Sequence, residues 1–343
     1  MSVVIAARNE EQNIRTCLES VARLTYPKEE LEVVIVNDRS TDGTEAIIRE
    51  FTERYDFMKL VNAVPDHGGK LLGKANAVAQ GITHTTGEIL MFTDADCVVP
   101  ERWVEETVKY YDRPEVGAVA GFTQLQARNF FQKIQALDWF VLFSIAAATT
   151  RLRFPVTAVG NNLSVRRTAY DAVGGYAGIP FSVTEDYALF HAITKKGGYL
   201  AKFPIDAATL VTSQPCSTLT ELFNQKKRWF TGGADMEWKS LALFGVGYVF
   251  KALLVASLFT GAFVAFAVGF CLKTAVDCTL VLPALKRFGR IRQAAYFIPF
   301  EVYYTIYVLM FPPLVIAHPN VRWKERVFHQ AGVSTIGHAP SGE

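Results

Sequence analysis

The stretch EILMFTDAD, residues 88–96, places two aspartates at the end of an apolar run. The apolar residues 89–92 predict a buried strand. Because successive side chains of a strand point to opposite faces, Asp94 and Asp96 should lie on the same side. Two neighbouring carboxylates repel each other unless a cation or a shared proton lies between them. A turn in which the aspartates bond to their own backbone is the alternative, so the rest of the chain must decide.

Three further apolar runs precede this strand and predict strands as well: SVVIAA (2–7), LEVVIVND (31–38) and MKLVNA (58–63). Helical patterns separate the runs; within residues 9–24, for example, Ile14, Leu18 and Val21 recur at helical spacing. Strands that alternate with helices predict an α/β fold with a doubly wound, mainly parallel sheet. Ligands of such sheets bind beyond the carboxyl ends of the strands.

Polar side chains follow three of the predicted strands at that edge: Asn9 with Glu10, Asp38, and Asp94 with Asp96. A turn would explain one such cluster. Three clusters at one edge of a sheet favour a ligand site instead. The sequence therefore predicts a binding site at the carboxyl edge, with the aspartate pair of residues 94–96 as part of it.

The composition excludes several classes of function. Hydrophobic residues make up 50% of the 343 residues, and the mean hydropathy of +0.17 is high for a purely soluble enzyme. The net charge of +2 gives no case for nucleic acid as a partner. The five cysteines form no CxxC pair and show no zinc-ligand spacing, so neither a zinc site nor a disulfide framework is expected.

The C-terminal part of the chain has the composition of a membrane segment. Residues 253–272 contain no charge and are long enough to cross a bilayer, which takes about 20 residues. Residues 294–317 carry only Glu301 as a charged residue. We therefore expect two or three transmembrane helices over residues 246–317, followed by a C-terminal tail over 318–343.

The number of spans decides the side on which the basic residues lie. With two spans, the side opposite the N-terminal domain would hold the basic residues Lys273, Lys286, Arg287, Arg290 and Arg292, against the positive-inside tendency. A helical hairpin over residues 246–285 removes this conflict, but leaves the basic residues of 322–326 outside. Separately, residues 130–150 predict a long amphipathic helix, either in the core or lying on the membrane surface.

Two further motifs contain residues typical of an active site. In FSVTEDYALF, Thr184, Glu185 and Asp186 open a helical pattern, where acidic residues also suit the positive end of the helix dipole. In LFNQKKRWF, the residues at positions 225, 228 and 229 share one helix face. An amphipathic basic helix near a membrane would fit the lysines of this second motif equally well.

The order of the motifs identifies a family. SVVIAARNEE, VVIVNDRSTDGT, LLGKANAVAQG, FTDAD, VGNNLSVRR, VGGY, TED and QKKRW follow one another as in the inverting family 2 glycosyltransferases, and resemble the membrane-bound subgroup with DxD, TED and QxxRW motifs. The resemblance covers residues 2 to about 233. It implies a GT-A, Rossmann-like catalytic domain over residues 1–235, followed by the transmembrane segment.

The resemblance also implies roles for individual residues. The donor-binding residues would be Ala7, Arg8, Glu10, Asp38, Lys74 and Asp94. Asp94 and Asp96 would hold a divalent cation, Mg²⁺ or Mn²⁺. The catalytic residues would be Asp186 as the general base, Glu185 and Arg228, and the acceptor would contact Gln225 and Trp229.

The function implied is that of a multi-pass membrane enzyme whose catalytic domain lies in the cytoplasm. It would move a sugar from a nucleotide-sugar, usually a UDP-sugar, to a lipid or glycan acceptor, with membrane lipids around it. A processive polysaccharide synthase of the same family is the first alternative. A non-catalytic, membrane-tethered nucleotide-binding module and a transporter are alternatives from other classes.

Overall fold

A computed structural model describes residues 1–66, 71–233 and 238–317, together with the backbone of three short strands beyond residue 320. The chain forms two compact units. The first consists of Met1–Gln126 and Ala146–Gln214, and the second of Ala127–Ile145 and Pro215–Glu343.

The first unit is built on a seven-stranded sheet with the strand order β3-β2-β1-β4-β7-β5-β8. A smaller sheet pairs β6 with β9. The strands are β1 (Ser2–Ala7), β2 (Glu32–Asn37), β3 (Met58–Asn62), β4 (Ile89–Asp94), β5 (Val116–Ala120), β6 (Thr123–Leu125), β7 (Leu163–Arg166), β8 (Leu200–Lys202) and β9 (Val211–Ser213). The strands β1 to β4 pair in parallel, which confirms the α/β prediction.

Helices separate most of these strands along the chain. They are α1 (Ile14–Ala22), α2 (Thr44–Arg54), α3 (Gly73–Thr83), α4 (Trp103–Val108), α5 (Phe130–Arg151), α6 (Arg167–Ala172) and α7 (Glu185–His191). Ile14, Leu18 and Val21 of α1 are fully buried and share one core cluster with Val3 and Ile35 of the sheet. The helix predicted over residues 130–150 is present as α5. Its position at a membrane surface stays a prediction.

The register of the sheet aligns the strand ends that form the predicted ligand edge. Ala7 of β1 lies opposite Asn37 of β2, and Ala6 lies opposite Asp94 of β4. The carboxyl ends of these strands are therefore level, so the segments that follow them start from one edge. Strand β7 inserts between β4 and β5 and runs antiparallel to both, a feature that the sequence did not predict.

The second unit contains α8 (Leu219–Gly232), α9 (Trp238–Phe259), α10 (Phe263–Arg287) and α11 (Phe297–Ala317). Three helical segments in the described residues are long and apolar enough to cross a membrane: Trp238–Phe259, Phe263–Arg287 and Ile291–Ala317. Only residues 260–262 connect α9 to α10, so the two form a helical hairpin.

Charged side chains within these helices pair with one another. The Nζ of Lys273 in α10 lies 2.6 Å from Asp277 Oδ2. The same ammonium also forms an ion pair with Glu301 of α11. Lys251 of α9 lies over the ring of Tyr304, 4.8 Å from its centroid. Because an unpaired charge is costly inside a bilayer, this pairing suits helices that cross one.

The predicted tail over residues 318–343 is described only in part. Its backbone forms three short antiparallel strands, β10 (Val321–Trp323), β11 (Arg326–Phe328) and β12 (Gly337–His338). The rest of the tail lies outside the described residues.

Candidate active site

The aspartate pair lies at the end of the central strand β4. Asp94 is the last residue of the strand, and one oxygen each of Asp94 and Asp96 lies within 4.8 Å of the other and of the Cys97 sulfur. The Cys97 thiol donates a 3.3 Å hydrogen bond to Asp96 Oδ1. Burial, reinforced by the charges of Asp96 and Asp94, raises the pKa of this thiol well above its usual value. The pair therefore offers carboxylate oxygens beside a protonated thiol, a donor set that fits a hard cation.

Lys74 connects this pair to the TED motif. Its Nζ lies 2.5 Å from Asp94 Oδ1 and 3.3 Å from Glu185 Oε1. Burial alone would lower the pKa of Lys74, but Asp94, Glu185 and Asp186 outweigh it and raise the pKa above its usual value. The lysine is therefore a fixed positive charge between the two motifs. The preceding Gly73 has a φ of +57°, a conformation that favours glycine.

Asp186 lies in the first turn of α7 and is held by backbone amides. Its Oδ2 accepts a 2.5 Å hydrogen bond from the Gly160 N–H, and its Oδ1 accepts one of 2.8 Å from the Tyr187 N–H. Burial and the charge of Glu185 raise the pKa of Asp186 to about 6, against the opposing effect of Lys74. Such a carboxylate is ionised at neutral pH and is more basic than an exposed one, which suits a general base.

Gly160 has a positional role that the sequence analysis missed. An added Cβ at this residue would lie 3.0 Å from Asp186 Cβ and 3.4 Å from Lys74 Nζ. Glycine therefore lets the backbone amide approach the carboxylate closely. The VGNN stretch was part of the motif order, but nothing in its residue types indicated this contact.

The predicted nucleotide-binding residues meet at the ends of β1 and β2. Ala7 is fully buried, and Arg8 donates a 3.1 Å hydrogen bond to the carbonyl oxygen of Asp38. The Asp38 carboxylate is buried and accepts hydrogen bonds of 3.1 and 3.0 Å from Arg39. Glu10 accepts a 2.9 Å hydrogen bond from Asn13. The structure thus brings Arg8, Asp38 and their neighbours together at the predicted edge of the sheet.

The QxxRW residues all lie on α8, in the second unit. The ring of Trp229 lies 5.6 Å from that of Trp139 on α5. Gln225 Oε1 is buried and has no hydrogen-bond partner among the described residues. Lys226 and Lys227 are both buried, so this helix does not expose them as a basic face, and the basic-helix alternative for the motif is wrong.

Known proteins are similar to this chain in sequence. The chain is 30% identical over 237 residues to the β-monoglucosyldiacylglycerol synthase of Nostoc sp. (strain PCC 7120), which covers 68% of this chain and 48% of that protein. It is 28% identical over 244 residues to a poly-β-1,6-N-acetyl-D-glucosamine synthase of Staphylococcus epidermidis, which covers 69% and 55%. The chain thus spans about half the length of these relatives.

A solved structure shows the same fold. The mannosyltransferase PcManGT from Pyrobaculum calidifontis, in complex with GDP-Man and Mn²⁺, superposes with a TM-score of 0.59 at 22% identity. The match covers 89% of this chain and 86% of that one.

The family model described as glycosyl transferase family 2 matches residues 2–188, which is more than half of the chain. These residues include the ends of β1, β2 and β4, together with Lys74, the aspartate pair and Asp186. The chain therefore belongs to glycosyl transferase family 2.

Proposed function

We propose that this enzyme is a membrane-bound, inverting glycosyltransferase that moves a sugar from a nucleotide-sugar to a lipid-like acceptor. A UDP-sugar is the donor that the resemblance favours, with Asp38 bonding the base. One observation carries the proposal: Lys74 joins Asp94, in the donor motif, to the TED motif that contains the basic carboxylate Asp186. A donor group and a proton acceptor for the acceptor hydroxyl would thus share one edge of the sheet.

The donor side has to stabilise a leaving nucleoside diphosphate. Asp94 and Asp96 would hold a divalent cation, Mg²⁺ or Mn²⁺, which supplies positive charge against the departing phosphates. Their close oxygens fit such an ion. We assign Arg228 to the same leaving group, because a planar guanidinium binds phosphate oxygens in pairs. Lys74 adds a fixed positive charge at the aspartates.

The remaining donor contacts follow the first two strands. We assign Ala7, Arg8, Glu10 and Asp38 to the nucleoside part of the donor. The supporting observation is that Arg8 and Asp38 are bonded to each other at the end of β1 and β2. Their side chains would hold the nucleotide by shape and hydrogen bonding, while the diphosphate faces the aspartate pair.

The acceptor side has to remove a proton. Asp186 would accept the proton of the acceptor hydroxyl, whose oxygen forms a bond to the anomeric carbon as the bond from that carbon to the phosphate oxygen breaks. Attack from the face opposite the leaving group inverts the anomeric configuration. A positioned base contributes about 10²–10⁴-fold to the rate. Glu185 supports this role, because its charge contributes to the raised pKa of Asp186.

A lipid-like acceptor is favoured by the second unit. It has three helices of membrane-spanning length and composition, and one relative is a β-monoglucosyldiacylglycerol synthase. We assign Gln225 and Trp229 to the acceptor, since an indole ring offers a flat face for a sugar or a lipid head group. In this proposal residues 1–235 act as the catalytic domain on the cytoplasmic side of the membrane.

A processive polysaccharide synthase is the second candidate. It is supported by the relative that is a poly-β-1,6-N-acetyl-D-glucosamine synthase. The QxxRW pattern also supports it, because the family resemblance includes polymer-forming members with this motif. A non-catalytic nucleotide-binding module is disfavoured, because Asp94, Asp96, Asp186 and Arg228 are all present. Such a module has no need for a base.

The experiment uses detergent-solubilised protein, radiolabelled UDP- and GDP-sugars, Mn²⁺ or Mg²⁺, and total membrane lipid. Label in a single organic-soluble product, lost with EDTA, would support the lipid glycosyltransferase and identify the donor. A ladder of water-soluble products of increasing length would support the synthase instead. No transfer and no donor hydrolysis under any of these conditions would contradict both.

A further inference from the structure

A buried ion pair lies inside the second unit, next to the QxxRW tryptophan. Lys226 of α8 is 3% exposed, Asp138 of α5 is 5% exposed, and the Lys226 ammonium bonds to the Asp138 carboxylate. Lys226 is one of the two variable positions of the QxxRW motif, and neither residue has a role in the reaction among those that the family resemblance implies. A buried pair of this kind can hold the side chains around it in place.

The Lys226 ammonium also lies against two aromatic rings. Its Nζ lies 4.6 Å from the ring centroid of Trp229 and 5.2 Å from that of Tyr307. The ring of Trp139, the residue after Asp138, lies 5.6 Å from that of Trp229, inclined by 54°. Trp229 is therefore in contact with a cation and with a second indole, and the carboxylate that fixes the cation precedes that indole in the chain. Cations over indole rings are the strongest pairs of this type.

Stability alone does not account for this arrangement. Removing two charges from water costs about as much as their attraction returns, and apolar pairs of the same volume are often as stable or more stable. A lysine that a buried carboxylate holds in place, however, attracts the face of a ring that it contacts and so favours one orientation of that ring. Another lysine beside a tryptophan in this unit, Lys239 next to Trp238, is exposed and forms no ion pair with the described residues.

We propose that Asp138 and Lys226 are a positioning pair that holds the Trp229 ring in the orientation in which it receives the acceptor. The inference rests on the acceptor role of Trp229 given under Proposed function. The pair does not touch the reacting atoms. It acts through Trp229, so its loss should affect the acceptor and leave the donor site unchanged.

The test compares Lys226→Met, Asp138→Asn and the double variant Lys226→Met/Asp138→Leu in the full-length protein. Each single variant leaves one buried group without its partner, so the thermal midpoint should fall. The double variant replaces the pair by apolar side chains of similar size and should recover the midpoint. In the double variant we expect KM for the lipid acceptor to rise about tenfold, with acceptor-independent hydrolysis of the donor unchanged. Lys226→Arg should retain a nearly normal acceptor KM.

A second readout does not depend on transfer. The emission spectrum of Trp229 is obtained by subtraction. For each protein, the spectrum of its Trp229→Phe form is subtracted from its own spectrum. We expect this difference spectrum to shift in the double variant and not in Lys239→Met, the matched control at an exposed lysine beside a tryptophan. A double variant with normal folding, normal acceptor KM and an unshifted Trp229 spectrum would overturn the proposal.

Failure of the positioning pair can be distinguished from failure of the proposed function. If the wild-type protein transfers no sugar to any lipid, the acceptor assignment fails. The Trp229 spectrum then still decides whether the pair positions the ring. A shifted spectrum supports the pair as a positioning device, and an unshifted one contradicts it.

Discussion

The ammonium of Lys74 lies 2.5 Å from the carboxylate of Asp94, at the end of the central strand. The same ammonium lies 3.3 Å from Glu185, the residue before the proposed base. One side chain at the start of α3 thus connects the donor motif with the helix that carries Asp186. This link makes the protonation of the base sensitive to charge in the donor site.

Replacing Lys74 by methionine should move the pH profile of transfer upward. The Lys74 charge lowers the pKa of Asp186, so its removal raises that pKa further above its ordinary range. The acidic limb of kcat should therefore shift to higher pH, by about one unit, at saturating donor and cation. The measurement is kcat between pH 5 and pH 8.

The matched control for this variant is Lys196→Met, which removes an exposed lysine from the same unit. We expect its pH profile to coincide with that of the wild type. An unshifted limb in Lys74→Met would mean that the lysine and Asp186 are not electrostatically linked in the working enzyme.

The wild-type enzyme should lose activity as the pH falls below about 6. Asp186 has a pKa raised to about 6 and can accept a proton only when it is ionised. The ionised fraction therefore dominates above pH 6, and kcat/KM should fall about tenfold for each unit below it. A profile that stays flat down to pH 5 would contradict the assignment of Asp186 as the base.

Substituting Gly160 by alanine should lower the rate of transfer. The new methyl would lie 3.0 Å from Asp186 Cβ and 3.2 Å from its Oδ2, so the carboxylate must move. A misplacement of about 1 Å can cost roughly 10²-fold in rate. Because the clash at Gly160 requires a shift of only a few tenths of an ångström, we expect kcat to fall by less than that, about severalfold, while donor affinity changes little.

Gly245→Ala is the control for this substitution, because a Cβ at Gly245 meets nothing within 4 Å. Its transfer rate should equal that of the wild type. Normal transfer by Gly160→Ala would show that the amide at residue 160 does not position the base.

The connection between α10 and α11 should lie on the same side of the membrane as the start of α9. The exposed basic residues there are Lys286 and Arg287 in the last turn of α10, and Arg290 and Arg292 in the connection itself. If all three membrane-length helices cross, this loop and the segment before α9 face the same compartment, and the positive-inside tendency makes that compartment the cytoplasm. This arrangement resolves the conflict that two spans would create.

Single cysteines test this topology in a variant without the native ones. In intact cells, a membrane-impermeant maleimide should label Thr260→Cys, in the turn between α9 and α10. It should label Arg290→Cys only after lysis. The reverse pattern would place the catalytic residues outside the cytoplasm.

The sequence alone predicted the half of the sheet that carries the ligand edge. The runs at residues 2–7, 31–38, 58–63 and 89–92 are apolar because the central strands of a parallel sheet are buried on both faces. Such runs are visible without any knowledge of tertiary structure. Strand β7, with the sequence LSVR, has no comparable run, and its antiparallel place beside β4 depends on pairing between distant segments.

The site was predicted less completely, because two of its features are long-range contacts. Lys226 and Asp138 are 88 residues apart, and a lysine in a charged stretch normally predicts a solvent-exposed face. The Gly160 amide meets Asp186 across 26 residues, through a backbone group that leaves no signature in residue type. Motif order identified the acidic residues, whereas only the fold shows which groups hold them.

The most direct test of the central claim separates donor binding from transfer in Asp186→Asn. Asparagine keeps the shape of the side chain and removes its ability to accept a proton, so the fold and the donor site should persist. The measurement pairs the equilibrium affinity for the UDP-sugar, in the presence of Mn²⁺, with the rate of sugar transfer to lipid. We predict that transfer falls about 10²–10⁴-fold while donor affinity stays close to that of the wild type. An equal loss of both, or undiminished transfer, would contradict Asp186 as the general base.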